Sequence, residues 1–191
     1  MSNLSSTGAL NRLKEGNARF IKDGLEHNKQ DSKRRAELSQ GQHPFAIILS
    51  CADSRVIPEI TFDTGLGELF VVRVAGNIAN TSSIASIEYA VANLNVKLIA
   101  VMGHESCGAV TAAINGGDAG PNLNHLISMI EPAVTQSDKS SVNEVVKENA
   151  RVNAKLLVDK SEIISGAVKE KNVKIVTAYY NLESGVVDFN I

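Results

Sequence analysis

The feature that most constrains the fold of this chain is a set of four short runs of apolar, largely β-branched residues. The runs are FAIILS (45–50), LFVVRV (69–74), KLIAVM (97–102) and VKIVTAY (173–179). Each run is nearly continuous in apolarity, which is typical of strands buried on both faces of a parallel sheet, whereas a strand with one wet face would alternate. We therefore predict a core sheet of four parallel strands.

Amphipathic helical patterns occupy the segments between these runs. In TSSIASIEYAVANLN (81–95) the apolar residues form one stripe behind Thr81 or Ser82, either of which is a suitable N-cap. A later helix opens with Ser141 and Glu144 in the spacing of a capping box. Strands that alternate with helices indicate an α/β domain with right-handed crossovers.

The two ends of the chain depart from this alternation. At 191 residues the chain fits one domain, residues 1–191, and no repeat or linker divides it. YYNLESGVVDFN (179–190) predicts a strand, a turn and a short return strand at the edge of the sheet. Before the first strand, GALNRLKEGNARFIKDG (8–24) is amphipathic and has no strand of its own to cover. We predict that residues 1–40 form a helical arm that packs on the outside of the sheet or on another subunit.

Composition argues against several classes of partner. The chain is 43% hydrophobic and 21% charged with a formal net charge of −2, so neither nucleic acid nor an anionic membrane surface is expected as a partner. No apolar stretch approaches the roughly 18 residues that span a bilayer, and the N-terminus lacks the apolar segment of a secretory signal. We expect a cytoplasmic protein with reduced thiols, in which two cysteines are more typical of metal binding or catalysis than of a disulfide.

Cysteine and histidine residues follow two of the apolar runs. Cys51 follows the first run in SCADSRV, and His104 and Cys107 come just past the third run in GHESCGAV. Because the carboxyl ends of parallel strands meet at one edge of a sheet, we expect these side chains to lie together. Two thiolates and an imidazole suit a tetrahedral zinc ion, with the fourth position left for water or substrate. The helix that should start at Cys107 would also favour its thiolate.

Asp53 and Arg55 follow Cys51 on the same short turn, spaced so that their side chains can meet. A carboxylate beside a metal-bound water accepts a hydrogen bond from it, and an arginine keeps such a carboxylate ionised and fixed. Released from Arg55, Asp53 would instead be free to bind the metal and close the site. We expect the Asp53–Arg55 pair.

Each of these residues also has a structural interpretation when it is taken singly. A buried cysteine is commonly a small hydrophobe, an Asp–Arg pair is commonly a salt bridge, and a histidine in a loop is commonly a solvated polar group. The convergence of both cysteines and one histidine at one sheet edge favours the zinc site over these interpretations.

With these residues, the chain resembles the β-class carbonic anhydrases of bacteria. SCADSRV matches the family's C-x-D-x-R motif and GHESCGAV its H-x-x-C motif, and the similarity runs from LKEGNARF in the arm to YYNLESGVV near the C-terminus. The resemblance implies one zinc ion per subunit, held by Cys51, His104 and Cys107, and reversible hydration of carbon dioxide to bicarbonate and a proton. In that reaction a zinc-bound hydroxide attacks CO₂ while Asp53, held by Arg55, orients it.

The resemblance also implies an arm that wraps a partner subunit, in a homodimer or a dimer of dimers, with the substrate pocket near the dimer interface. Positions of the family's pocket fall on Gln42, Phe70, Ala75, Tyr89 and Gly108. Among them, Gln42 matches a glutamine that hydrogen-bonds the substrate, and Phe70 and Tyr89 match apolar wall positions.

Other functions on the same scaffold stay open at this point. Some family members carry a second, non-catalytic bicarbonate pocket built on a tryptophan, an arginine and a tyrosine. Ile48 stands in place of that tryptophan, although Arg73 matches the arginine, so we expect no such pocket and an active site that is open at neutral pH. A hydrolase of carbon disulfide or carbonyl sulfide and a zinc-binding protein without turnover are the alternatives to carbon dioxide hydration.

Overall fold

A five-stranded sheet forms the centre of the molecule in the computed structural model, which describes residues 4–191. The strands lie in the order β2-β1-β3-β4-β5; β1 to β4 are parallel, and β5 runs antiparallel to β4. Their bounds are Ala46–Ser50 (β1), Leu69–Arg73 (β2), Leu98–His104 (β3), Lys174–Tyr180 (β4) and Val187–Phe189 (β5). The predicted parallel core with an additional C-terminal edge strand is confirmed.

Two helices precede β1, and the others lie in the connections between the parallel strands. Their bounds are Ser6–Phe20 (α1), Ser32–Leu38 (α2), Pro58–Thr61 (α3), Thr81–Asn93 (α4), Gly108–Asn115 (α5), Pro121–Ser128 (α6), Glu131–Gln136 (α7), Val142–Lys160 (α8) and Glu162–Glu170 (α9). A short 3-10 turn, Ala75–Asn77, follows β2. No helix within residues 4–191 combines the length and the apolarity needed to cross a bilayer.

The helix caps agree with the sequence at one predicted position and differ at another. Ser141 caps α8, and its hydroxyl accepts a hydrogen bond from the backbone N–H of Glu144. The cap of α4 is Asn80, so the prediction of Thr81 or Ser82 was wrong by one or two residues. The reason is that a cap keeps an extended backbone, and Asn80 has ψ of 173° and accepts a 2.9 Å hydrogen bond from the first turn.

Both faces of the central strands are covered, which explains the continuous apolar runs. In β1, Ile48 belongs to the core beneath α1, whereas Ile47 and Leu49 belong to the core beneath α4, α8 and α9. All three side chains are fully buried. Successive side chains of a strand point to opposite faces, so a strand with helices on both sides has no polar face.

β2 departs from the prediction of burial on both faces. In residues 4–191 it pairs with β1 alone, and along Leu69–Arg73 the side chains change from buried to exposed. Phe70 is half-buried beside Tyr89, with 6.4 Å between ring centroids, and Tyr89 is 52% exposed. β2 is therefore an open, partly apolar edge, although its sequence is as apolar as that of a central strand.

The arm packs on its own chain through α1. Ala9 and Leu13 are fully buried in the core beneath that helix. Asn17 donates a 2.8 Å hydrogen bond to the carbonyl of Gly185 and accepts one of 2.9 Å from the N–H of Val187, which joins α1 to the C-terminal turn and strand. α2 has no buried residue. Packing of the arm on a partner subunit stays a prediction.

A buried carboxylate anchors the arm to the loop before β2. Glu68 is 6% exposed, and its carboxylate accepts hydrogen bonds from Arg12 of α1, from Lys29 and from the N–H of Gly65. Burial alone would raise the pKa of Glu68, but the Gly65 N–H and the two cations outweigh it and hold the pKa below its ordinary value. The Glu68 carboxylate is therefore ionised in the folded protein at neutral pH.

We predict that Glu68→Gln lowers the free energy of unfolding at pH 7 by about 1–3 kcal/mol, because it removes the charge that both cations contact. A folded-state pKa below the unfolded value means that this stabilisation is present above the pKa of an unfolded glutamate and is lost as the pH falls through the folded value. In urea unfolding, the difference from wild type should therefore shrink as the pH falls below the pKa of an unfolded glutamate, about 4.3. Glu170→Gln, an exposed change in α9, is the control, and equal effects of the two substitutions would contradict the prediction.

Candidate metal centre

Three soft or borderline ligands converge at the carboxyl edge of the sheet. Cys51 directly follows β1, His104 is the last residue of β3, and Cys107 is the N-cap of α5. One ligand atom from each lies within 4.8 Å of the others, and all three residues are buried. The cause is the parallel pairing of β1 with β3, which sets their carboxyl ends side by side. The third strand extends past its predicted run, so His104 lies within the strand instead of just past it.

A hydrogen bond to the backbone fixes the tautomer of His104. The Nδ1 atom lies 2.9 Å from the carbonyl oxygen of Glu105, and since a carbonyl only accepts, Nδ1 carries the proton. The Nε2 atom then presents a lone pair. It is buried and has no hydrogen-bond partner within the described part of the chain. An unpaired buried nitrogen is costly in a folded protein, and metal coordination would satisfy it.

The sulfur atoms of Cys51 and Cys107 lie 4.0 Å apart, within hydrogen-bond distance, and either can be the donor. The hydrogen bond between Cys107 and Cys51 is the main cause that lowers the pKa of Cys51, and the backbone N–H of Gly76 contributes from 3.4 Å. The same hydrogen bond and burial raise the pKa of Cys107. Two buried sulfurs that cannot both ionise unaided would both become thiolates beside a divalent cation.

Asp53 and Arg55 form a bidentate ion pair beside the cluster. Arg55 Nε lies 2.9 Å from Asp53 Oδ1, and Arg55 Nη2 lies 2.8 Å from Asp53 Oδ2. Hydrogen bonding to Arg55 holds the pKa of Asp53 far below its usual range. Asp53 Oδ2 is 3.9 Å from His104 Nε2, so the ionised carboxylate lies at the border of the three-ligand cluster.

The structure brings two of the other predicted site residues to the cluster. Ala75 directly precedes Gly76, whose N–H reaches Cys51. Gly108 directly follows Cys107 and is exposed, and a side chain built there would meet nothing within 4 Å. Both positions therefore border the three ligands within one chain.

The remaining three predicted pocket residues lie elsewhere in the chain. Gln42 is exposed and precedes β1, whereas Cys51 follows it, and a five-residue strand spans about 16 Å. Phe70 pairs with Ile47 near the start of β1, and Tyr89 is its neighbour on α4. Within one chain these residues do not line the metal cluster, and their roles stay predictions.

One arginine at the site has a contact that the sequence did not predict. Arg73 donates hydrogen bonds to the backbone carbonyls of Cys51, at 3.0 Å, and of Asp53, at 2.7 Å, and so holds the turn that carries both side chains. This contact depends on the pairing of Arg73 with Ser50 across β1 and β2. The sequence alone could not indicate it, because the pairing is known only from the strand order. The resemblance had associated Arg73 with a different, non-catalytic pocket.

The donor set fits zinc. Two cysteine sulfurs and a histidine nitrogen with a free lone pair form a Cys₂His set, which leaves one position of a tetrahedron for a further ligand. Softer sulfur ligands also select zinc over magnesium or calcium, which prefer oxygen.

Comparisons with known proteins agree with this geometry. A family model described as carbonic anhydrase matches residues 46–187. "Carbonic anhydrase 2" of Mycobacterium tuberculosis is 41% identical over 97% of this chain and 93% of its own length. The carbonic anhydrase of Mycolicibacterium smegmatis is 38% identical over 98% of this chain and 95% of its own length.

Solved structures show the same fold. The β-carbonic anhydrase CafA of Aspergillus fumigatus matches with a TM-score of 0.72 and 26% identity, over 96% of this chain and 89% of that one. A β-carbonic anhydrase of Sordaria macrospora, described as tetrameric, matches with a TM-score of 0.76 and 23% identity, over 92% of this chain and 93% of that one.

We predict that His104→Ala and Cys51→Ala each weaken zinc binding by more than about a hundredfold, because each removes one of three protein ligands. Zinc content by elemental analysis and affinity by competition with a chromogenic chelator provide the measurements. His125 is an exposed residue of α6, so His125→Ala is the control and should bind zinc like wild type. Full zinc occupancy in His104→Ala would refute the ligand assignment.

Proposed function

The chain belongs to the β-carbonic anhydrase family, and we propose that it hydrates carbon dioxide reversibly to bicarbonate and a proton at one zinc ion per subunit, held by Cys51, His104 and Cys107. The observation that carries the proposal is the buried cluster of their ligand atoms, all within 4.8 Å of one another at the carboxyl edge of the sheet. Bound zinc supplies Lewis acidity that ionises water near neutral pH.

Asp53 is proposed to orient the attacking oxygen. Its carboxylate stays ionised because Arg55 holds it in a bidentate pair, so it accepts hydrogen bonds and donates none. An oxygen that carries a hydrogen is therefore accepted beside it, and one without a hydrogen is repelled. The hydrogen bond to Asp53 would turn a lone pair of that oxygen towards carbon dioxide.

Arg55 and Arg73 are proposed to keep this geometry fixed. Arg55 holds both oxygens of Asp53, so the carboxylate is turned to the arginine instead of closing the metal site. Arg73 fixes the backbone on which Cys51 and Asp53 lie, through their carbonyl oxygens. The ligand and the orienting carboxylate thus share one rigid turn.

Self-association is proposed to complete the substrate pocket. Gln42, Phe70 and Tyr89 lie away from the metal cluster of their own chain, so they would line a pocket only across an interface with a second copy. The open edge at β2, with Tyr89 half exposed beside it, supports such an interface. We propose a homodimer or a dimer of dimers in which these three residues face the partner's zinc.

A reducing compartment suits the proposed centre. The sulfurs of Cys51 and Cys107 lie 4.0 Å apart, and both must remain unoxidised to serve as ligands. We infer a cytoplasmic location for the active protein.

We predict that the zinc-loaded protein hydrates carbon dioxide in a stopped-flow assay with a pH indicator, and that a chelator abolishes the activity and added zinc restores it. The same preparation is offered carbonyl sulfide and carbon disulfide. Hydrolysis of either without hydration of carbon dioxide would overturn the proposal in favour of a hydrolase. Bound zinc with turnover of none of the three would make the chain a zinc-binding protein without this activity.

We predict that Asp53→Ala and Asp53→Asn keep zinc and lower kcat/KM for carbon dioxide by about a hundredfold, because the amide and the methyl group no longer select and orient the attacking oxygen. Asp188→Asn removes an exposed carboxylate on β5 and should leave the rate unchanged. A wild-type rate in zinc-loaded Asp53→Ala would remove Asp53 from the mechanism.

A further inference from the structure

Two asparagines interrupt the apolar stripe of α8. The buried face of this helix consists of Val145, Val146, Asn149, Ala150, Asn153 and Leu157. Asn149 and Asn153 are fully buried, one helical turn apart. A buried amide is costly unless its donors and acceptors are paired, so two of them on one face indicate a specific task.

Both amides bind the loop that follows β2. Asn149 Nδ2 donates a 2.7 Å hydrogen bond to the carbonyl of Gly76, and Asn153 Oδ1 accepts one of 2.6 Å from the N–H of Ala79. Asn153 Nδ2 also donates to Asn149 Oδ1 at 2.9 Å and to the Asn149 carbonyl at 2.8 Å. A carbonyl only accepts and an N–H only donates, so this chain of contacts fixes the orientation of both amides.

The held loop reaches the metal centre through Gly76. The N–H of Gly76 lies 3.4 Å from Cys51 Sγ, at the ligand end of the loop. Gly76 has φ of +70°, a backbone conformation that residues with a Cβ rarely adopt, so the position favours glycine. A glycine has wide conformational freedom, so the direction of its N–H depends on the contacts that hold the loop. These include backbone hydrogen bonds from the N–H of Val74 to Ser50 and from the N–H of Asn77 to Val74, besides contacts from other elements.

The buried polar side chain that belongs to the loop itself does not contribute to holding the loop in place. Asn77 is 1% exposed, and neither its Oδ1 nor its Nδ2 has a hydrogen-bond partner among residues 4–191. Side chains from outside the loop hold it through Asn149 at Gly76, Asn153 at Ala79 and Ser83 of α4 at the carbonyl of Ile78. Of these, Asn149 is the one that contacts Gly76.

We propose that Asn149 is a positioning residue of the metal centre, which holds Gly76 so that its N–H donates to the sulfur of the zinc ligand Cys51. The proposal rests on the proposed zinc site. A hydrogen bond to a coordinating sulfur withdraws charge from it and fixes the direction of its lone pairs, which changes both metal affinity and metal electronics. Asn153 acts indirectly, because its hydrogen bond to Asn149 Oδ1 fixes the orientation of the Asn149 amide.

The test compares Asn149→Leu with Asn17→Leu. Asn17 is a matched control, because it is also a buried asparagine with backbone partners, Gly185 and Val187 among them, and it contacts none of the three metal ligands. Both substitutions should destabilise the fold. Asn149→Leu alone should weaken zinc binding by about tenfold or more in chelator competition.

A spectroscopic measurement separates positioning from general destabilisation. In the cobalt-substituted protein, loss of the hydrogen bond to Cys51 should move the sulfur-to-cobalt charge-transfer absorption to lower energy in Asn149→Leu and leave it unchanged in Asn17→Leu. If Asn149→Leu does not fold, Asn149→Ala replaces it in both measurements.

The outcomes distinguish this inference from the proposed function. A folded Asn149 variant with wild-type zinc affinity and a wild-type cobalt spectrum would overturn the positioning role and leave the zinc site standing. Failure of the wild-type protein to bind zinc would instead overturn the proposed function. A spectral shift in Asn17→Leu equal to that in the Asn149 variant would also overturn the inference.

Discussion

The parallel pairing of β1 with β3 is the constraint on which the metal centre depends. The register places Ser50 opposite Met102, so Cys51 lies beside the last residues of β3, which ends at His104. Cys51 and His104, which are more than fifty positions apart in the chain, thereby become neighbours through the backbone pairing, and no long side chain is needed to bridge them. The third ligand, Cys107, follows His104 after a short turn and is the N-cap of α5. Strand order therefore decides ligand geometry here, and side-chain chemistry decides what the geometry binds.

Backbone-directed hydrogen bonds surround this centre on several sides. His104 is oriented by the Glu105 carbonyl, the Cys51–Asp53 turn by Arg73, and the Gly76 loop by the asparagines of α8. A site held mainly by contacts to main-chain atoms tolerates exchange of many neighbouring side chains. It is correspondingly sensitive to changes in the few polar groups that make those contacts.

The strands, the helix alternation and the three ligands could be predicted because each has a local signature: apolar continuity, helical spacing, and cysteine or histidine at a strand end. Arg73 and Asn149 could not be found this way, since their partners are main-chain atoms on other elements and leave no pattern in the sequence. The one available signal was two asparagines at helical spacing within an apolar stripe. The partial exposure of β2 could not be predicted either, because an edge strand with an apolar sequence cannot be distinguished from a central strand until the strand order is known.

The bonds from Asn17 to Gly185 and Val187 join residues 168 and 170 positions apart. The first helix can therefore complete these two bonds only after Gly185 and Val187 have been synthesised. The buried face of α1 also packs on α3 and β3, but its bonds to Gly185 and Val187 join distant parts of the chain, and such long-range closure slows folding. A truncation that removes residues 185–191 would therefore deprive the Asn17 amide of α1 of these two partners, in addition to removing β5 from its pairing with β4.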